Sequence, residues 1–219
     1  MTVRALRAIV GERLRAERRT IAFASATATL VAFIQPHGIM TISDPLGADL
    51  ATRSVWLAGP MFFCSAIGIA IALIQGPGRH PMLDISEGSA PLFGRELARA
   101  KAVVPVIVAF LAAFAYWFAQ FLSGFAAPPA FFVLVLFCVL ASTLVALNAT
   151  IRTNAARWLY VALACATVVI AYSSAVYSDA VLSRAGDAIG VASEITFCAL
   201  IGFIALRQYG EALARHDPI

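Results

Sequence analysis

Three histidines, four cysteines and twelve carboxylates are all that these 219 residues offer to acid–base, nucleophilic or metal chemistry. Their spacing gathers none of them into a site. His37, His80 and His216 stand far apart, and none falls in the middle of an apolar run, as a haem held between two membrane histidines would require. Cys64, Cys138, Cys165 and Cys198 all lie in apolar stretches without the CxxC spacing of a metal or redox site, so they read as small buried hydrophobes. No paired carboxylates and no nucleophile–base pair stand out. The expectation is a chain that is not an enzyme and holds no cofactor and no metal.

What remains is mild polarity inside apolar segments: Ser25, Thr27 and Thr29, then Gln120, then Ser142, Thr143 and Asn148, then Tyr172, Ser173 and Ser174. Such side chains serve either as hydrogen bonds between helices or as the lining of a translocation path. Gln120, Asn148 and Glu194 are the candidates for the second role. Glu194 has its own two readings. It either caps a helix N-terminus, where a carboxylate is favoured, or lines an outer gate with Asp187 and Arg184.

The elements that must position these groups follow from composition. With 61% hydrophobic and 13% charged residues and a mean hydropathy of +0.87, the chain lies far from soluble domains, which are about 45–50% apolar and about 25% charged. Six apolar runs approach the roughly 17–25 residues needed to cross the hydrocarbon core: from Thr20 to Gln35 or on to Ile42, Ser54 to Ile74, Ala102 to Phe125, Pro129 to Ile151, Trp158 to Tyr177, and Ile189 to Leu206. They are continuous rather than alternating, which selects helices over a β-barrel. The fold class expected is all-α: a polytopic membrane protein with six transmembrane helices.

Of the sixteen lysines and arginines, only Arg53 and Arg184 fall on one face of this arrangement and all the others on the opposite face. That asymmetry places both termini in the cytoplasm of a cell (inner) membrane. It also argues against nucleic acid, because the arginines punctuate the spans instead of forming a phosphate-binding patch. Residues 1–19 carry Val3, Leu6, Val10 and Leu14 three or four apart among arginines. They read as an amphipathic cytoplasmic interface helix or as a plain topogenic arginine cluster. Residues 20–206 form the transmembrane domain, and 207–219 a cytoplasmic tail. No room is left for a soluble domain, so any ATPase belongs to another chain.

The longest stretch outside the spans, 76–101, opens on the breaker Gln75-Gly76-Pro77-Gly78. It continues Glu87-Gly88-Ser89, then Pro91-Leu92-Phe93-Gly94-Arg95-Glu96-Leu97-Ala98-Arg99-Ala100-Lys101. On the residues alone this is either a short amphipathic docking helix or an ordinary loop on the headgroups. The order of all these pieces resembles the membrane subunit of ABC-2 type exporters, and this loop resembles the family's coupling element, although the step between Gly88-Ser89 and Pro91 is shorter than usual there. The resemblance implies a six-span permease. It implies a cytoplasmic ATP-binding subunit docked at Glu87, Leu92, Phe93 and Arg95. It further implies a homo- or heterodimer with a second permease subunit, surrounded by membrane lipid. With no coupling ion, the substrate expected is lipid-like or amphipathic. The alternative is a non-transport structural or accessory membrane protein that scaffolds partner subunits.

Overall fold

The computed structural model describes residues 3–39, 58–75, 94–122, 129–177 and 188–215. Among these residues every regular element is helical and none is a strand. Seven helices follow one another: α1 (Val3–Ala16), α2 (Arg18–Ile39), α3 (a π-helical turn Gly59–Phe63 running into Cys64–Ile74), α4 (Gly94–Leu122), α5 (Pro129–Asn148, closed by a 3-10 turn Ala149–Ile151), α6 (Asn154–Tyr177) and α7 (Ala188–Arg215). Within α4 to α7, four stretches are long and apolar enough to cross a membrane: Arg99–Leu122, Pro129–Ile151, Asn154–Val176 and Gly190–Leu213. The protein is therefore a helical multi-pass membrane protein. The expected first and second spans correspond to α2 and to the shorter apolar helix Gly59–Ile74.

Helix α5 is the axis of the molecule, its spanning stretch being 61% buried against 22% for that of α7. It packs against α3, α4, α6 and α7, whereas α6 and α7 lean on α5 far more than on each other. The largest apolar cluster joins Leu134, Val135, Cys138 and Val139 of α5 to Met61 and Cys64 of α3, Tyr116 of α4, Val168 and Ala175 of α6, and Cys198 of α7. Small residues set the close approaches. A Cβ added at Gly68 of α3 would collide with Thr143 Oγ1 of α5, and small-residue contact of this kind is how helices gain packing when lipid supplies no hydrophobic drive. Large apolar side chains face outward, among them Phe23, Trp158, Leu163 and Phe203, as a lipid-facing surface requires.

Contacts fix the helix directions. Arg99 of α4 and Arg207 of α7 line one pocket, Asn148 of α5 bonds Ala205 of α7, and Ser174 of α6 bonds Glu194 of α7. Helices consecutive in the chain from α4 to α7 thus alternate in direction, and α5 and α7 run parallel. Ile21 of α2 and Ile67 and Ile71 of α3 meet Val104 of α4, which places the start of α2 at the same end as Arg99. Arg18, Arg19, Arg99, Lys101, Arg152, Arg157 and Arg207 consequently share this basic end. Among the described residues, the basic side chains that flank the spans thus gather at one end in space.

Three local features depart from expectation. Helix α4 begins at Gly94, so residues 94–101 are the first two turns of a spanning helix and not a separate docking helix; nothing from Arg95 to Ala102 breaks the run. Helix α7 runs on through Arg215, past the point where a tail was expected. At the other end of the chain, α1 and α2 are separated by Glu17 alone, and the ladder bonds Glu17 N to Arg13 O (3.0 Å) and Ile21 N to Glu17 O (2.9 Å) persist across it. Arg13 and Glu17 are buried there, with Thr20 Oγ1 donating to Glu17 Oε2 at 2.7 Å. The sequence placed both on the polar outer face of the interface helix. Packing of α1 against α4 turns that face inward.

Candidate functional site

Among the expected coupling residues, Glu87, Leu92 and Phe93 lie outside the described residues. Arg95 belongs to the first turn of α4. The three path candidates, Gln120, Asn148 and Glu194, are all described, and they do not converge. Gln120 is near the far end of α4, beyond Trp117, whose ring meets Phe132 of α5 at 5.3 Å. Asn148 lies sixteen residues further along α5, about 24 Å at helical rise. Gln120 and Asn148 are buried at different depths, and Glu194 is half-buried.

Four of the hydroxyls expected to join helices turn back on their own helix instead. Thr27 donates to Phe23 O, Thr29 to Ser25 O, and both Ser142 and Thr143 to Val139 O. Each satisfies itself on its own helix, three or four residues back, as Ser and Thr do where water is absent. Polar contacts do cross between helices: Cys64 Sγ of α3 donates to Ala112 O of α4 at 3.7 Å in the interior, and two more involve path candidates, Asn148 in the interior and Glu194 through an exposed hydrogen bond. Asn148 Nδ2 donates to Leu144 O (3.1 Å) on α5 and to Ala205 O (2.9 Å) on α7. Ser174 Oγ of α6 donates to Glu194 Oε1 of α7 at 2.7 Å.

That last contact overturns the capping reading of Glu194. Helix α7 starts at Ala188, so Glu194 sits beyond its first turn, where dipole stabilisation has faded. Its carboxylate reaches across to α6. One turn further along α7, the Cys198 thiol faces Cys138 of α5, and Ser65 of α3 stands beside Cys138. From the end opposite the basic one, a polar seam therefore runs inward through Ser174, Glu194, Cys198, Cys138 and Ser65. The cysteines and Ser65 enter it from segments that looked wholly apolar. The sequence signal for them is shared depth in the four helices, α3, α5 and α7 running one way and α6 the other.

The seam contains unmet polar atoms. Among the described residues, Glu194 Oε2 and Ser65 Oγ are buried without a hydrogen-bond partner, as are Tyr116 OH and Gln120 Nε2 on α4, Asn148 Oδ1 on α5 and Gln75 Nε2 at the end of α3. Tyr116 and Gln120 are one turn apart on one face of α4. Buried polar atoms usually find partners. Six orphans, four of them in the half of the bundle away from the basic end, mark where a polar guest group would be most stabilised.

Access comes from the side. Because α6 and α7 diverge over α5, a groove of about 260 Å³ opens between them, lined by Ile170, Ala171, Ser174, Ser193, Glu194, Phe197 and Cys198. Ile170 and Phe197 are exposed apolar side chains, and the Glu194 carboxylate lies among them. The groove suits a molecule with an apolar body and a hydrogen-bonding or cationic head. No group of three or more His, Cys, Asp or Glu side chains among the described residues is placed to hold a metal ion. Compared with protein-family models, with curated proteins and with solved structures, the chain matches none.

Proposed function

We propose that this protein is the six-span permease subunit of an ATP-driven exporter of the ABC-2 type, moving a lipid-like or amphipathic substrate. In this reading α2 and α3 complete the six spans, the basic end faces the cytoplasm, and both termini lie there. The observation that carries the reading is the lateral groove between α6 and α7, with the Glu194–Ser174 pair inside it. An amphipathic molecule reaches such a groove from the bilayer without crossing water. The spans carry no ionisable residue at their centres, which disfavours a proton- or sodium-coupled carrier and favours energy delivered by a partner. That partner is a cytoplasmic ATP-binding subunit docked at the segment leading into α4 and at its first turn, through Glu87, Leu92, Phe93 and Arg95. Six spans make half a pathway, so a second permease subunit completes it.

Purification of the native complex tests the reading. An ATP-binding subunit should accompany the chain, and the double change Phe93→Ala with Arg95→Glu should release it while membrane insertion stays intact. If no ATP-binding subunit is recovered, and no amphipathic substrate stimulates ATP hydrolysis in the reconstituted complex, the chain is instead an accessory protein that scaffolds partners through its spans.

A further inference from the structure

The basic end holds a second pocket, on the opposite half of the molecule from Glu194. It has a volume of about 320 Å³ and is lined by Arg99 of α4 and by Phe203, Leu206, Arg207 and Gly210 of α7. We propose that it is a binding site for the headgroup of an anionic phospholipid of the leaflet at the basic end. The inference rests on the protein spanning a membrane and not on the export reading.

Three observations identify the occupant. First, the charge: two guanidiniums from different helices face one cavity. Arg207 gives its Nε–H to Glu211 at 2.9 Å, so two guanidiniums stand against one carboxylate and the site stays net positive, with four further N–H donors on Arg207. Arginine favours phosphate oxygens because its planar fork meets them two at a time. Second, the depth: the cavity lies among the arginines that gather at one end of the spans, the level at which basic pockets between helices meet lipid headgroups. Third, the apolar wall: Leu200, Phe203 and Ile204 are 56%, 66% and 44% exposed and lie within two turns of Arg207 on the same face of α7. From Arg207 to Leu200 is seven residues, about 10 Å, along which an acyl chain can run toward the bilayer centre. A free phosphate would use the arginines and leave this stripe bare. A phospholipid uses both.

Native mass spectrometry of the detergent-solubilised full chain, equilibrated with mixed micelles of phosphatidylglycerol and phosphatidylcholine, tests the site. The wild type should retain phosphatidylglycerol in preference, and retention should weaken as salt rises. Arg99→Gln with Arg207→Gln should weaken it about 25-fold, at about fivefold per arginine near a membrane surface, and leave phosphatidylcholine retention unchanged. If the double variant does not fold, Arg99→Gln alone, at an exposed position, should weaken retention about fivefold by the same reckoning. Equal retention of the two lipids by the wild type overturns the proposal, as does undiminished phosphatidylglycerol retention by the variants. Displacement by millimolar glycerol phosphate, which has the headgroup chemistry without the chains, would make this a soluble-anion site. A dimer lacking retained lipid would assign the face to a second copy of the chain.

Discussion

Gly68→Ala is the sharpest test of the packing at the centre of the bundle. A Cβ at this position meets Thr143 Oγ1 head on, with Thr143 Cβ at 3.4 Å and Ala109 Cβ at 3.6 Å behind it. Thr143 is held by its hydroxyl bond to Val139 O at 2.6 Å, so it cannot swing away without leaving a buried hydroxyl unpaired. Against this, alanine in a helix gains about 1 kcal/mol over glycine, while inserting a methyl group into a filled core costs about 1–3 kcal/mol. With the collision at Thr143 head on, the upper part of that cost, about 2–3 kcal/mol, applies. The net expectation is a loss of about 1–2 kcal/mol, or a fall in Tm of about 2–8 °C for a chain of this size. Thermal unfolding in detergent, followed with a thiol-reactive fluorophore that reports exposure of the buried Cys64, Cys138 and Cys198, measures the shift. The companion variant Thr143→Ala removes the colliding oxygen. In the double variant Gly68→Ala/Thr143→Ala the loss should largely vanish. Gly202→Ala serves as control, since its Cβ would meet only ordinary contacts at 3.5 Å and beyond, and it should leave Tm unchanged or raised. A Gly68→Ala protein as stable as wild type, or one that Thr143→Ala fails to rescue, would refute the placement of α3 against α5.

Three further outcomes follow from the polar groups. Glu194→Gln keeps an oxygen to accept the Ser174 hydroxyl and should leave stability within about 0.5 kcal/mol of wild type, while substrate-stimulated ATP hydrolysis falls; reduced stability with unchanged turnover per folded protein would make Glu194 structural. Asn148→Leu removes the Ala205 bond and the orphaned Oδ1 together and should cost about 1 kcal/mol. Asn148→Asp, which cannot donate to Leu144 O or Ala205 O and adds a charge, should cost about 3 kcal/mol or more, and equal unfolding temperatures for the two would count against the assigned contact. Of the four cysteines, Cys165 is exposed and the others are buried. Cys165 lies mid-span on the lipid side of α6, so a lipid-soluble photoactivated carbene probe, which needs no thiolate, should label Cys165 alone of the four in the folded protein, and mass spectrometry of the labelled chain shows whether it does.

Where helices form was legible in the sequence, because a span of apolar residues in lipid has no other way to satisfy its backbone. The basic end was legible for the same reason: arginines stop where the hydrocarbon stops. Which face of each span meets which neighbour was not. The run from Pro129 to Asn148 is apolar on every side, so nothing in its letters announced that it is the axis, or that Cys138 meets Cys198 across it. Hydroxyls were over-read as links between helices because spacing cannot show whether Ser142 or Thr143 turns back to its own carbonyls. Glu194 stands out in the sequence by its charge, but its partner Ser174 lies twenty residues earlier in another helix, a pairing set by the directions of α6 and α7. Arg13 and Glu17 were missed because charge normally marks the outer face of an interface helix, and burial between α1 and α4 reverses that face.

The self-satisfied hydroxyls of α5 bear on how the protein is made. During synthesis α5 enters the bilayer before α6 and α7 exist, with one side of it still facing lipid. Ser142 and Thr143 travel with their hydrogen bonds already closed on Val139, so the future axis of the bundle can wait for its neighbours without polar groups open to hydrocarbon. Asn148 differs, since its bond to Ala205 needs a residue added 57 positions later. It lies in the last turn of α5, where the helix leaves the hydrocarbon core and water can serve until α7 arrives. The order of the polar side chains along α5 thus matches the order in which their partners emerge from the ribosome.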